Sequence, residues 1–298
     1  MSYLALFASA LLAVSTVRAA PRPRGVYPTH NLTSAQVTPY QSYAYFASAA
    51  YCAPNTTITW TCGSRCEGNA DFEPIASGGN GDSTQYWYVG YAPGHDSIIV
   101  AHQGTNPSEL LSVVTDARFF LGELDPDLFP GVPSDVEVHT GFAVEQADAA
   151  VILGNVTAGI EKYGTTAITV AGHSLGAALA LLDGLYLHLQ IPDATVNVID
   201  FGQPRVGNPA FALWVDENVN LTHINNKEDY VPIIPGMSLG YAQPSGEIHI
   251  QDSEQWIACD GHDNESHLCS TGDVPNIFAG DIDDHDGPYD GVEMGNDC

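Results

Sequence analysis

The amino-acid sequence predicts a single α/β domain built on a largely parallel sheet. Short apolar runs of strand length alternate with segments of helical length, and this alternation is typical of strand–helix–strand units. Hydrophobic residues make up 44% of the chain and charged residues only 15%, a composition that supports a packed core and excludes general disorder. No internal repeat, linker or low-complexity tract divides the 298 residues.

The predicted elements follow in chain order. A helix is expected within residues 34–51, where Pro39 should interrupt its first turns. Two strands rich in β-branched and aromatic residues, 86–91 and 97–102, are separated by a turn at Pro93-Gly94. The remaining predictions are helices at 143–163, 175–189 and 209–217 and strands at 167–171, 195–199 and 221–225.

The N-terminus has the pattern of a secretory signal peptide. An apolar stretch from Leu4 to Val14 precedes the small residues around Ala19, which fit a signal-peptidase site. The stretch is too short for a transmembrane helix, which needs about 20 apolar residues. We therefore predict a signal peptide over residues 1–19, a single domain over 20–298, and a secreted protein without a stable membrane anchor.

The charge balance restricts the possible partners. Eight Lys and Arg face 36 Asp and Glu, a formal charge of −28. The cationic surface that a phosphate backbone requires cannot be assembled, so nucleic acid is excluded. Anionic membrane surfaces are disfavoured for the same reason, whereas a neutral lipid surface is not.

Six cysteines in a secreted chain favour disulfides. The close pairs Cys62/Cys66 and Cys259/Cys269 suggest two local loops, which would leave Cys52 to join the last residue, Cys298. Spacing alone does not choose among the 15 possible connectivities. A zinc site is disfavoured because Cys-x3-Cys lacks a suitably spaced second half, and we predict no metal and no cofactor. Sequons occur at Asn31, Asn55, Asn155, Asn220 and Asn264.

Two pentapeptides have the Gly-x-Ser-x-Gly pattern of a nucleophile elbow, around Ser174 and around Ser238. An elbow needs a buried strand before the serine and a helix after it, with small flanking residues to relieve crowding. Ser174 has both elements. Ser238 lies between two proline-containing segments where neither is expected. Ser174 is therefore the candidate nucleophile.

A serine nucleophile needs a base and a carboxylate that orients the base. The usual order in this fold type is Ser, then Asp or Glu, then His. Asp229 follows the strand at 221–225, while Asp200 ends another strand, and spacing excludes neither. His285 has the best place in the order, ahead of three other candidates. These are His188, His262 and His267.

At this point the sequence resembles the fungal class 3 lipase family over most of the chain after the signal peptide. The matching segments are Ile98-Ile99-Val100-Ala101-His102-Gln103-Gly104-Thr105, Val138-His139-Thr140-Gly141-Phe142, Val170 to Gly176, Phe201 to Asn208, Asp229-Tyr230-Val231-Pro232, and Asp284-His285 with Tyr289.

The resemblance implies an α/β-hydrolase fold, a central mostly parallel sheet flanked by helices, and a catalytic triad of Ser174, Asp229 and His285. It also implies an oxyanion hole from the backbone N–H groups of Thr105 and Leu175. The implied disulfides are Cys52–Cys298, Cys62–Cys66 and Cys259–Cys269. Two departures concern supporting residues: Gln103 replaces an arginine found in many members, and polar Asp286-Gly287-Pro288 replaces apolar residues after the histidine.

A lid is implied between Thr105 and the strand at Val138. Leu110, Val114, Ala117 and Leu121 would share one helical face there. Lids of this family cover the serine in water and open at oil surfaces. The candidate lid residues are Leu110, Leu111, Val114 and Phe120. The alternative is a short helix packed permanently on the core.

These observations predict an extracellular carboxylic-ester hydrolase that cleaves acylglycerols at a lipid–water interface through an acyl-enzyme. The expected form is a monomer. A feruloyl-type esterase acting on plant-wall aromatic esters is the alternative within the family. A binding protein that has lost the chemistry is disfavoured because the triad and the oxyanion segment are complete.

Overall fold

A computed structural model describes residues 25–105, 120–145, 149–295 and 298. Its centre is a nine-stranded mixed sheet with the order β1-β11-β10-β9-β8-β7-β4-β3-β2, and β5 and β6 form a separate antiparallel pair. The strands are β1 Thr29–Asn31, β2 Glu73–Gly78, β3 Trp87–Ala92, β4 Ser97–His102, β5 Leu121–Glu123, β6 Glu137–His139, β7 Ala167–His173, β8 Thr195–Phe201, β9 Asn220–Asn226, β10 Glu247–Ile250 and β11 Trp256–Cys259.

The predicted parallel sheet is present at the centre. Strands β4, β7, β8, β9 and β10 run parallel to one another, and antiparallel strands extend the sheet on both sides. All residues of β4 are buried, as expected for a central strand covered on both faces. The carboxyl ends of β7, β8 and β9 therefore lie along one edge of the sheet.

Helices cover both faces of the sheet. They are α1 Ser34–Ala49, α2 Pro54–Thr57, α3 Ser64–Glu67, α4 Thr140–Glu145, α5 Ala149–Tyr163, α6 Leu175–Gln190, α7 Pro209–Asn218 and α8 Ser270–Asp273. Helix α6 buries every residue from Leu175 to Leu187 against β7 and β8. A Cβ atom at Gly184 would collide with Val198, so glycine permits this close approach.

One local prediction needs correction. Pro39 does not interrupt α1, which begins at a capping box of Thr33 and Gln36. The carbonyl that Pro39 cannot bond belongs to Ala35, which is exposed, so water replaces the missing partner at little cost. Of the helix predicted over 143–163, the described parts are helical, as α4 and α5, and residues 146–148 lie outside the described residues.

The six cysteines are joined as Cys52–Cys298, Cys62–Cys66 and Cys259–Cys269, the pairing that the resemblance implied. The first disulfide spans 246 residues and ties the segment after α1 to the C-terminus. No helix in the described part of the chain is long and apolar enough to cross a bilayer.

The lid prediction falls mostly outside the described residues. Leu110, Leu111 and Val114 lie in the segment 106–119, which the structure does not describe. Phe120 is described, and 68% of it is exposed. Leu121, expected on the same helical face, instead begins strand β5, because it pairs with His139.

Candidate active site

Ser174 lies at a tight turn between β7 and α6, directly after the last strand residue. Its φ of 60° and ψ of −127° are unusual for a residue with a side chain, and such strain is often found at functional positions. The flanking glycines make the turn possible. A Cβ atom at Gly172 would collide with the backbone of Gly176, and one at Gly176 would collide with the carbonyl of His102.

Asp229 and His285 form a fully buried pair at the same edge of the sheet. His285 Nδ1 lies 2.7 Å from Asp229 Oδ2, and neither side chain is exposed. Asp229 Oδ1 accepts a hydrogen bond of 2.8 Å from the backbone N–H of Val231. The carboxylate is thus held from both sides, and it fixes the proton of His285 on Nδ1.

A buried hydrogen-bond chain attaches His285 to the residue before the serine. His173 Nε2 donates to the carbonyl oxygen of His285 at 2.9 Å, so its Nδ1 accepts from the hydroxyl of Tyr51 at 2.6 Å. Burial, reinforced by the neighbouring His285, holds the pKa of His173 well below its usual value, which keeps the ring neutral in this arrangement. Tyr289 donates a second hydrogen bond of 3.0 Å to the same carbonyl.

Ser174 Oγ and His285 Nε2 are both buried, and neither has a hydrogen-bond partner among the residues that the structure describes. The ring of His285 lies tilted against that of His173, which directly precedes Ser174, with 4.4 Å between the ring centroids. Because Nδ1 is engaged by Asp229, Nε2 is the nitrogen that remains for accepting a proton. The arrangement brings together the residue types that a nucleophile, a base and an orienting carboxylate require.

The oxyanion candidates lie on both sides of Ser174. Leu175 is the first residue of α6, so no carbonyl of an earlier helical turn takes its backbone N–H. The Gly104–Thr105 segment approaches from β4. A Cβ atom at Gly104 would lie 3.0 Å from Ser174 Cβ and would collide with the Tyr51 hydroxyl, so this segment contacts the serine closely.

The other residues that the sequence offered for the nucleophile, the carboxylate and the base lie away from this arrangement. Asp200 alternates along β8 with Phe201, whose ring packs on Tyr289, so its carboxyl shares the other face of the sheet with Val198 and helix α6. Burial raises the pKa of Asp200 well above its usual value, and the nearby Gly172 backbone opposes this only in part. His262 pairs with Asp216 at 2.7 Å. Ser238 and His267 are exposed, and His188 lies near the end of α6.

Arg205 is a supporting residue that the sequence analysis did not identify. It is 2% exposed and pairs with Asp263 at 2.8 Å. Its guanidinium also donates to the carbonyls of Ile233 and Pro235, in the segment that follows Asp229. One signal was available: Arg205 is one of only eight basic residues and is followed by Val206 in an otherwise uncharged segment.

The structure describes the surroundings of both departures from the family pattern. The Gln103 side chain accepts a hydrogen bond of 2.9 Å from the backbone N–H of Tyr86, which supports the end of β4. After His285, the backbone carbonyl of Asp286 accepts a hydrogen bond of 2.7 Å from Met294. Burial raises the pKa of the Asp286 carboxyl, and Asp229 adds to this shift while His285 opposes it.

Comparison with known proteins places this geometry in a family. A model of class 3 lipases matches residues 99–239. A secreted mono- and diacylglycerol lipase of Malassezia globosa is 34% identical over 232 residues, which are 72% of this chain and 74% of that protein.

Solved structures give the same result. Lipase II of Rhizopus niveus is 28% identical, with a TM-score of 0.77 over 90% of this chain and 99% of its own. The Lip2 lipase of Yarrowia lipolytica is 26% identical, with a TM-score of 0.75 over 90% and 98%. The sheet and the serine turn, with these likenesses, define an ester hydrolase of the α/β-hydrolase fold. The chain belongs to the class 3 lipase family.

Proposed function

We propose that this protein is a secreted lipase that hydrolyses acylglycerols, with Ser174, His285 and Asp229 as its catalytic triad. The observation that carries the proposal is the buried Asp229–His285 pair, tethered through His173 to the strained turn that bears Ser174. The acylglycerol substrate is supported by the relatives, several of which are named secreted mono- and diacylglycerol lipases.

The proposed reaction has two halves. Ser174 Oγ attacks the ester carbonyl carbon while its proton passes to His285 Nε2, and the carbonyl oxygen becomes an anion held by the backbone N–H groups of Thr105 and Leu175. The intermediate collapses to an acyl-enzyme, and the leaving alcohol takes the proton from Nε2. Water then attacks the acyl carbon with His285 again as base, which releases the fatty acid and restores the serine.

Three further assignments belong to this proposal. Residues 1–19 are a signal peptide. The predicted lid has Leu110, Leu111, Val114 and Phe120 as its candidate residues, of which the described one, Phe120, is exposed. Glycans, where present, occupy sequons other than Asn264, because that side chain is fully buried and its oxygen accepts from the backbone N–H groups of Tyr27 and Ser266.

Labelling with a fluorophosphonate tests the nucleophile. The wild type should be labelled at Ser174, and Ser238→Ala should be labelled equally, whereas Ser174→Ala should not react. Labelling that survives in Ser174→Ala would contradict the assignment.

A substrate panel tests the class of ester. We expect turnover of emulsified tri-, di- or monoacylglycerols to exceed that of methyl ferulate under the same conditions. A reversed preference would instead identify an aromatic esterase, and it would leave the triad intact.

A further inference from the structure

A short turn beside the triad projects two apolar side chains into solvent. Phe278 is 94% exposed and Ile277 is 37% exposed. The turn has a defined shape, because the Asn276 side chain accepts a hydrogen bond of 3.0 Å from the backbone N–H of Phe278 and the Asn276 carbonyl accepts one of 3.0 Å from Ala279. The phenyl ring is therefore held outward at the tip of an ordered turn.

The base of this turn is attached to the loop that carries Asp229. Val274, at its start, is fully buried in the main core. At its end, Gly280 packs so closely on the Glu228 carbonyl and on Tyr230 that a Cβ atom would have no space, and Asp281 donates a backbone hydrogen bond of 2.7 Å to Glu228. The turn consequently lies at the carboxyl edge of the sheet, the edge that holds the active site.

Acidic residues surround the base of the turn. Glu228, Asp273, Asp281 and Asp283 are within a few residues of it in sequence or in contact with it. This charge determines which partner the apolar tip can meet. An anionic membrane would be repelled, and so would a second copy of a chain whose formal charge is −28.

The small apolar area of the tip also favours a lipid surface over a protein partner. A stable protein–protein contact buries about 800 Å² on each partner, far more than one projecting phenyl ring and one isoleucine can offer. A single aromatic ring on a polar base is instead suited to insertion into a soft, uncharged interface, where aromatic side chains are well accommodated.

We propose that residues 275–279 form an insertion wedge, with Phe278 at its tip, that docks the protein on electroneutral lipid surfaces and discriminates against anionic ones. This inference rests on the proposed function, because lipolysis is what brings such a surface to the active-site edge. The wedge would orient the mouth of the site toward the lipid.

Vesicle binding by the inactive Ser174→Ala protein tests the wedge without consuming the lipid. With phosphatidylcholine vesicles containing diacylglycerol, adding Phe278→Ser should lower the partition coefficient about tenfold, since a buried phenyl ring is lost. Val26→Ser is the matched control. Val26 is 72% exposed and precedes β1, an outermost strand of the sheet, so this variant should bind as its parent does.

Varying the charge of the lipid provides an independent test of the proposed discrimination against anionic surfaces. Replacing part of the phosphatidylcholine by phosphatidylserine should weaken binding at low salt, and high salt should restore it because the repulsion is screened. Binding that strengthens with phosphatidylserine would overturn the proposed discrimination. Equal partitioning of Phe278→Ser and Val26→Ser would overturn the wedge.

A water-soluble short-chain ester separates this inference from the proposed function. In the active protein, Phe278→Ser should keep its turnover of the soluble ester within about twofold while losing activity on emulsions, because only adsorption is affected. An equal loss on both substrates would mean that the turn supports the site itself, and the wedge would be rejected. Failure of the wild type to hydrolyse any ester would instead refute the proposed function.

Discussion

The protein contains the same five-residue pattern twice, and the two copies have entirely different structures. Ser174 is fully buried, has a φ of 60°, and connects a central parallel strand to a helix. Ser238 is exposed in a single 3-10 turn, Met237–Leu239. The comparison teaches that the reactive geometry comes from the strand and helix on either side of the serine, which the pentapeptide only permits.

Exchanging each serine for alanine should give the largest difference between the two copies. We expect Ser174→Ala to lose about 10⁴-fold or more in kcat, because no other group can carry the acyl chain. Ser238→Ala should keep wild-type activity. Steady-state hydrolysis of a soluble ester, with circular dichroism to verify folding, measures both, and comparable losses would break the assignment.

The same contrast exists between two aspartates near the carboxyl ends of neighbouring strands, Asp200 in β8 and Asp229 in the turn after β9. Asp229 bonds His285 at 2.7 Å, whereas Asp200 faces α6 on the other side of the sheet. We expect Asp229→Asn to lower kcat by about 10³- to 10⁴-fold, since the amide no longer stabilises the proton on Nδ1.

The matched variant is Asp200→Asn, which should retain kcat within a few-fold. The two variants should therefore separate by orders of magnitude in the same hydrolysis assay. A large loss in Asp200→Asn that occurs without a loss of stability would reopen the choice of acid.

The first glycine of each pentapeptide provides a third matched pair of variants, for which the measured quantity is the free energy of unfolding. A Cβ atom at Gly172 would collide with the backbone of Gly176, whereas one at Gly236 would meet only the Ser238 hydroxyl, at 3.6 Å. Gly172→Ala should reduce the free energy of unfolding by about 2 to 4 kcal/mol through overpacking. Gly236→Ala should change it by less than about 0.5 kcal/mol. Urea unfolding measures both, and equal effects would show that the elbow tolerates a methyl group.

The sequence was most informative where one local property sets the structure. Strands such as β4 and β7 are nearly continuous apolar runs because they are buried on both faces, so the parallel centre could be predicted. Strands β1, β10 and β11 are only three or four residues long, and β1 pairs with β11 across most of the chain, which local patterns do not specify. The position of Ser174 was also predictable, because the apolar run of β7 and the helix that follows identify the turn between them.

The residues that support the site through hydrogen bonds could not be predicted from local sequence patterns. Tyr51 and His173 are 122 residues apart, and His285 is another 112 residues further on. Their contact depends on α1 packing against the sheet at β7. Arg205 likewise stabilises the Asp229 loop only because residues 233, 235 and 263 meet around it.

The burial of Asp200 also predicts a dependence of protein stability on pH. This effect is expected to be smaller than the differences in activity and stability above. Burial raises the pKa of Asp200 well above 3.8, while the unfolded chain titrates near the ordinary value of about 3.9. Above that pH the unfolded state releases a proton that the folded state retains or gives up only at a cost. The contribution of Asp200 to stability is therefore complete below about pH 4 and decreases as the pH rises through the raised folded pKa.

Asparagine has nearly the same shape and cannot ionise, so Asp200→Asn should remove this part of the pH dependence. The difference in Tm between Asp200→Asn and the wild type should become more positive from pH 4 to pH 8, by roughly 3 °C or more. Any cost of accommodating the amide would shift the difference equally at every pH, so the slope is the diagnostic quantity. Asp82→Asn, in an exposed turn, is the control and should leave the slope unchanged. A difference that is constant across the pH range would mean that Asp200 ionises as readily in the folded protein as in the unfolded chain, and that its burial beneath the elbow carries no electrostatic cost.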